Sequence, residues 1–415
     1  MYIGLSEGVI ESVDEVWPDC VLVTVRLTSP RSQGSEGSRA SPGSSAPPVG
    51  RALAYPGLLN APVAVGRRVL VNTTAVDLGL GSGGYHFLGA VLAADVVSEE
   101  ADSARAAGCG APTAGRGAQL AGHDRPPRPG HIMKLRYTPL QFATLAAEEP
   151  GGAAHQALKG FAGLEGTPVV CCELHSQVPA VAAGAAQVTG DRVRITYIMT
   201  DGGALPAAFS SLVRQMRAAG LVHRVITCGQ AFGGDAEAVN IYSALATAFA
   251  LGDADIIIVG MGPGIAGTGT PLGFSGIEQG QALNAAVSLG GLPVAVPRLS
   301  LADPRDRHYG MSHHTLAVLE KVCLAPCVLA MPLLAGEAED AVHKRFKDGH
   351  RHLTLVDDGR PGLEYLTEAG IHPTTMGRGV REDPEFFLAA AAAGRVAGKL
   401  SGVISGHFAP AGVRV

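Results

Sequence analysis

Long apolar runs are absent from this sequence. No stretch approaches the ~20 consecutive apolar residues that cross a bilayer, and the short apolar helical segment Phe386–Ala393 is flanked by Glu385 and Arg395, so no membrane role is expected. A basic field is absent too. Lys and Arg number 32 against 37 Asp and Glu, a formal net charge of -5, which argues against nucleic acid as a partner. The opening MYIGLSEGVIESVDEVWPD carries acids where a secretion signal has a basic start and an apolar run, so a cytoplasmic location is expected. The seven cysteines, Cys20, Cys109, Cys171, Cys172, Cys228, Cys323 and Cys327, form no CxxC pair and no secreted-type framework. They read as reduced, mostly buried thiols.

Apolar residues, by contrast, are plentiful. They make up 47% of the chain and charged residues only 17%, a composition that fills cores and excludes a disordered protein. At 415 residues the chain exceeds the roughly 100–250 residues of one ordinary core, so two domains are expected.

The first segment alternates apolar and polar residues in short runs, Gly8–Asp14, Cys20–Leu27, Arg51–Tyr55, Arg67–Asn72 and Tyr85–Leu92. That pattern predicts a small antiparallel β-domain, barrel-like, over residues 1–105. Its role is expected to lie in packing or homo-oligomer contact. The Ser/Gly/Pro-rich stretch Ser29–Pro48 reads as a floppy loop within it, and residues 106–130 as a low-complexity linker or insertion. From residue 131 to 415 apolar runs of strand length alternate with helix-length segments. The strands are expected at His131–Tyr137, Pro168–Leu174, Val193–Thr200, Arg224–Cys228, Asp255–Gly260, Pro293–Arg298, Cys327–Leu333 and His352–Val356. Helices are expected at Leu205–Ala219, Ala236–Leu251, Gly276–Leu289, Thr315–Leu324, Ala338–Lys347 and Pro361–Ala369. Continuous apolar strands with helical crossovers predict an α/β class, a mainly parallel doubly wound sheet with helices on both faces.

Ligands of such sheets bind beyond the carboxyl ends of the strands. The residues expected there are His175, Asp201, the glycine-rich loop GMGPGIAGTG (Gly260–Gly269) and the polar run DPRDRHYGMSHH (Asp303–His314). Gly262, Gly264 and Gly267 match G-x-G-x-x-G after a strand, but the helix starts late and no acid follows about 20 residues on, against a dinucleotide site. No lysine follows Gly269, against a P-loop. The remaining expectation is an anion-binding nest of Gly262, Gly264, Gly267 and Gly269 with the Thr268 and Thr270 hydroxyls; the competing one is close packing of chain on chain. Arg305 and Arg307 fit a phosphate or carboxylate clamp, against which stands pairing with the loop's own aspartates. Ser312 reads as a helix N-cap, and Glu278 as a first-turn acid or a site residue.

His175, Asp201, Asp303, His308 and His314 are candidate ligands of a mixed zinc or manganese site. His313 and His314, about 100° apart on a helix, are not expected to ligate one ion together. No cofactor is specified by any motif.

At IVGMGPGIAGTGTPLGFSGIEQG, CCELHSQ and RHYGMSHHT the sequence resembles a bacterial family catalogued as domain of unknown function 3866. The resemblance spans nearly the whole chain, implies a cytosolic bacterial protein, and brings no activity or catalytic residues. Three functional expectations stand. The first is an enzyme acting on a small anionic metabolite, phosphorylated or not, with His175, Asp201 and His308 or His313 handling protons. The second is a metal-dependent hydrolase using the same edge. The third is a non-catalytic metabolite sensor or assembly protein.

Overall fold

The structure is a computed structural model that describes residues 4–28, 49–59, 61–77, 83–92, 130–136, 140, 142–190, 193–252, 254–346 and 351–404. The stretches Ser29–Pro48 and Ala106–Pro129, with Cys109, lie outside these residues. The chain divides into two compact units, Met1–Pro127 and Arg128–Val415.

The first unit is a closed barrel of β1 (Leu5–Trp17), β2 (Cys20–Leu27), β3 (Val49–Ala54), β4 (Arg68–Asn72) and β5 (His86–Val91), ordered β1-β2-β3-β5-β4, with a short helix α1 (Thr74–Asp77) before β5. Period-two alternation sends Ile10, Val21, Val23, Val25, Ala52, Val69, Val71 and Leu88 inward. The outer face carries the exposed pairs Arg26–Glu11 and Arg68–Glu7. Register shifts at Ile10/Ser12 and Val13/Glu15 bend β1 so that it pairs with both β2 and β4 and closes the ring. One pairing corrects the purely antiparallel expectation, because β3 and β5 run parallel. A ring with an odd number of strands cannot alternate direction all the way round.

The second unit is built on eight strands: β8 (Pro168–Cys171), β9 (Ile195–Thr200), β10 (Arg224–Cys228), β11 (Ala236–Ala238), β12 (Ile256–Met261), β13 (Leu292–Ala295), β16 (Val328–Pro332) and β17 (Leu353–Asp357). All seven pairings are parallel, in the order β11-β10-β9-β12-β8-β13-β16-β17. Helices α3 (Val178–Thr189), α4 (Ser211–Ala218), α9 (Arg360–Glu368) and α10 (Pro384–Ile404) build the core on one face; α5 (Ile241–Ala250), α6 (Glu278–Ser288), α7 (His313–Ala317) and α8 (Glu337–Arg345) build the other. Strand alternation places Cys172 in the first core and Cys171 in the second. Between α2 (His155–Leu158) and β8 the chain makes no long element. Among the described residues no helix is long and apolar enough to cross a membrane.

Three segments depart from the sequence pattern. Helix α3, VPAVAAGAAQVT, was not expected, because it is apolar all round and shows no amphipathic period; it is buried nearly throughout against α10. Gly184 and Gly394 let the two backbones meet, since a Cβ on either would run into a carbonyl of the facing helix. The expected helix Ala236–Leu251 begins as the edge strand β11 and turns helical only after Asn240, whose side chain accepts hydrogen bonds from the Tyr242 and Ser243 amides. The expected strand His131–Tyr137 is instead β6 (Ile132–Lys134), in a two-stranded hairpin with β7 (Phe142–Thr144). Its buried Lys134 holds it there, donating to the carbonyls of Gly229 and Ala231 and pairing with Glu237.

The connections out of β8 and β12 define the functional edge. These neighbours pass to opposite faces and opposite sides, β8 through α3 to β9 and β12 through α6 to β13. Their carboxyl ends are therefore the switch point at which such sheets open a crevice. A second small ladder, β14 (Leu299–Ser300) with β15 (Gly310–Met311), pins both ends of the polar run at this edge.

A candidate metal centre at the switch point

Beyond β8 the chain places Glu173 fully inside the protein. Its Oε1 accepts from His314 Nδ1 at 2.7 Å and from the Arg298 guanidinium at 3.3 Å; Oε2 has no hydrogen-bond partner among the described residues. A buried carboxylate with this exposure needs compensating charge, which Arg298 supplies. Arg298 also meets Asp303, and Asp303 in turn meets Arg305 and Arg378. Arg378 reaches Asp383, which accepts from the Ser300 hydroxyl. This chain of ion pairs forms the floor beneath the polar run.

On that floor stand His308, His313 and His314, each offering a ring nitrogen within 4.8 Å of the others. Ser312 organises them. Its Oγ caps α7 by accepting from the His314 amide at 3.2 Å and lies 2.7 Å from His308 Nδ1. His314 Nδ1–H donates to Glu173, which leaves Nε2 as the nitrogen with a free lone pair. His308 is held through Nδ1 by the same Ser312 hydroxyl. His313 is the outlier: both its ring nitrogens are buried without a hydrogen-bond partner among the described residues.

His313 and His314 come together despite their 100° offset. They occupy the first turn of a five-residue helix, where no preceding turn restrains the side chains, and their ring centroids are 4.4 Å apart. Phe274 fixes the second ring, stacked on His314 at 3.7 Å with an interplanar angle of 2°. Burial, followed by the charges of Arg298 and Arg305, lowers the His308 pKa to about 3. Burial and the neighbouring His314 lower that of His313. Both imidazoles are therefore neutral at physiological pH, the form that ligates metals.

The other expected site residues are placed differently. His175 is a tie within the core: Nδ1 faces Met261 O and the Tyr197 hydroxyl at 3.1 Å, and Nε2 lies 2.6 Å from Ser210 Oγ. Burial lowers its pKa to about 4. Asp201 accepts from the Gln230 amide at 2.8 Å and so supports the turn after β10. Burial would raise the Asp303 carboxyl, but hydrogen bonds from Arg305 outweigh it and hold the group well below the usual carboxylate range. Arg305 is thereby committed through Nε and NH2 at 2.8 and 2.7 Å, the pairing that competed with an anion clamp. Arg307 stays exposed, near enough for its charge to act on His313.

The glycine loop folds as a hairpin that closes on itself. Gly267 bridges Phe274, the Thr268 amide donates to Gly273 O, and the Thr268 and Thr270 hydroxyls bond each other at 2.9 Å. Gly264 and Gly269 take positive φ of 97° and 77° for its bends. Gly262 is interior, packed so closely on Ala204 that a side chain would collide with its carbonyl. The loop's visible contribution to the site is to deliver Phe274 onto His314. Glu278, at the first turn of α6, has its pKa raised to about 7 by burial and by Asp201, against a hydrogen bond from Thr200.

The sequence pattern brings Glu173 to the ligand edge without assigning it a role, and it does not single out Phe274. The signal for Glu173 is an acid at the carboxyl end of a central apolar strand; for Phe274 there is none outside the fold.

The profile of a family described as Protein of unknown function (DUF3866) matches residues 51–394. No curated protein and no solved structure matches the chain.

Proposed function

We propose that this chain, which belongs to the DUF3866 family, is a metal-dependent hydrolase acting on a small anionic substrate. His308, His313 and His314 hold a divalent ion of the zinc class. The observation that carries the reading is the convergence of these ring nitrogens within 4.8 Å, with His313 buried and unpartnered and His314 backed by the Glu173 carboxylate. A carboxylate on the far nitrogen of a ligating histidine is the usual support of such centres. Three protein ligands are also the catalytic pattern, because they leave one position for water. When bound there, the ion lowers the pKa of that water toward about 7 and polarises the substrate.

Neutral imidazoles leave the full double charge on the ion, which favours an anionic substrate. Arg307 adds an exposed cation beside the cluster. Glu278, at the same sheet edge with a pKa near neutrality, is suited to carry a proton. Cys171, Cys172, Cys228, Cys323 and Cys327 are free thiols, which supports a cytoplasmic setting.

The test is a zinc titration of chelator-treated protein followed by imidazole NMR. The expected result is perturbation of His308, His313 and His314 and loss of that site in His313→Ala. Failure of zinc, cobalt and manganese to perturb these three rings ends the reading. A screen of phosphate and carboxylate esters on the loaded protein then identifies the substrate.

A further inference from the structure

A second group of donor atoms lies at the other end of the same helical segment. Cys323 Sγ, Cys327 Sγ and a ring nitrogen of His352 fall within 4.8 Å of one another, and all three residues are buried. Cys323 follows a π-helical turn, Val318–Val322, that continues α7; Cys327 precedes β16 and His352 precedes β17. We propose that Cys323, Cys327 and His352 form a structural site for a thiophilic divalent cation of the zinc class, separate from the histidine centre.

The hydrogen bonds determine which nitrogen is available. His352 Nε2 lies 3.0 Å from Leu319 O and so carries the proton. Nδ1 is then the acceptor: it takes the Cys327 amide at 3.3 Å, a long bond that an ion would replace, and lies 3.2 Å from Cys327 Sγ. A carbonyl on the far nitrogen is the orienting partner that ligating histidines use. Zn–S and Zn–N bonds of about 2.3 and 2.0–2.1 Å at a tetrahedral angle set their donors about 3.5 Å apart, so the Cys327–His352 pair needs only a small opening. The Cys323 thiol at present donates to Ala325 O at 3.1 Å. Binding exchanges both thiol protons for the ion, and these protons pass to solvent. Two thiolates cancel its double charge, so the neutral complex suits the apolar core that contains both cysteines.

The surroundings fit a cross-link rather than a reaction centre. Arg351 donates to the Leu319 and Cys323 carbonyls, not to the thiols, and closes the end of the π turn. Cys327 O accepts from the Leu353 amide at 3.0 Å, where the edge strand β17 starts. An ion here ties that edge strand to β16 and to the helix. Soft sulfur donors select zinc over magnesium or manganese.

The experiment uses reduced, chelator-treated full-length protein titrated with cobalt(II). Sulfur ligation gives an intense near-ultraviolet charge-transfer band that an all-histidine site cannot produce, which separates this proposal from the proposed function. The band is expected in the wild-type protein and in His308→Ala/His313→Ala, and lost in Cys323→Ser/Cys327→Ser. If the serine variant fails to fold, X-ray absorption at the zinc edge of the wild-type protein decides, with sulfur scattering at about 2.3 Å expected. Bound cobalt without the band, a band that survives in the serine variant, zinc without sulfur neighbours, or a Cys323–Cys327 disulfide in freshly purified protein would each overturn the site.

Discussion

Glu173 Oε1 and His314 Nδ1 lie 2.7 Å apart although 141 positions separate them in the chain. The contact joins the end of the central strand β8 to the first turn of α7. Through it a buried carboxylate both balances Arg298 and aims an imidazole. Glu173→Gln keeps the acceptor oxygen but removes the charge, so the expected loss in zinc affinity is about 10–100-fold. Competition with a chromophoric chelator measures it. Glu173→Ala additionally leaves Arg298 with Asp303 as its remaining carboxylate partner, and chemical denaturation should register about 1–3 kcal/mol of destabilisation. An unchanged zinc affinity in the glutamine variant would separate Glu173 from the centre.

The buried His175 and the half-buried Glu278 shape stability in opposite senses. His175 has a folded pKa of about 4 against 6.5 for the free side chain, so the unfolded chain binds the extra proton between those values. Its contribution is fully present above pH 6.5 and is lost as pH falls through 4. Glu278 is raised from 4.5 to about 7, so there the folded chain binds the extra proton, and stability falls as pH rises from 4.5 to 7. Glu278→Gln is expected to be more stable than wild type above pH 7 by up to about 3 kcal/mol and to converge with it near pH 4. Urea midpoints across pH report both effects.

At Gly394 two effects compete. Alanine is the better helix former by ~1 kcal/mol, which alone would stabilise α10. The added methyl, however, meets the Val181 carbonyl of α3, and overpacking of this kind costs about 1–3 kcal/mol. Because both contact surfaces are backbone, the clash cannot be relieved by a rotamer change. Gly394→Ala is therefore expected to lower the melting temperature by several degrees, read by calorimetry.

Lys134 is fully buried, and its ammonium is held by Gly229 O, Ala231 O and Glu237. Lys134→Met conserves the stem, removes the charge and leaves Glu237 uncompensated, for an expected loss of about 3–5 kcal/mol. Hydrogen exchange should show that loss at β6 and β7 first.

Much of this fold can be read from the sequence because parallel strands buried on both faces are written as continuous apolar runs. Arg224–Cys228 coincides with β10, and the runs that became β9, β12, β16 and β17 shift by no more than two residues at either end. Helix α3 lacked an amphipathic stripe because both its sides are covered, and β11 hid within a helix-like pattern that only the Asn240 cap divides. The site was legible in outline, as a set of strand ends and a histidine-rich run. Its grouping was not. Which histidines meet depends on a stacked ring from residue 274 and a carboxylate from residue 173, contacts that spacing along the chain does not encode. Helical phase sets His313 apart from His314 along the sequence, and it governs side chains only once a preceding turn confines them.

The π turn Val318–Val322 closes with the Cys323 amide on Val318 O, one residue wider than an α turn. It stands between two imidazoles at one end of the helical segment and a thiol at the other. A π turn takes up its surplus residue within one full rotation, so the side chains before and after it keep the bearing that a regular α turn with one residue fewer would give them. Deleting one residue from this turn would therefore restore regular α geometry with His313, His314 and Cys323 close to their present directions. The segment can lose a residue here without losing the relation between its two ends.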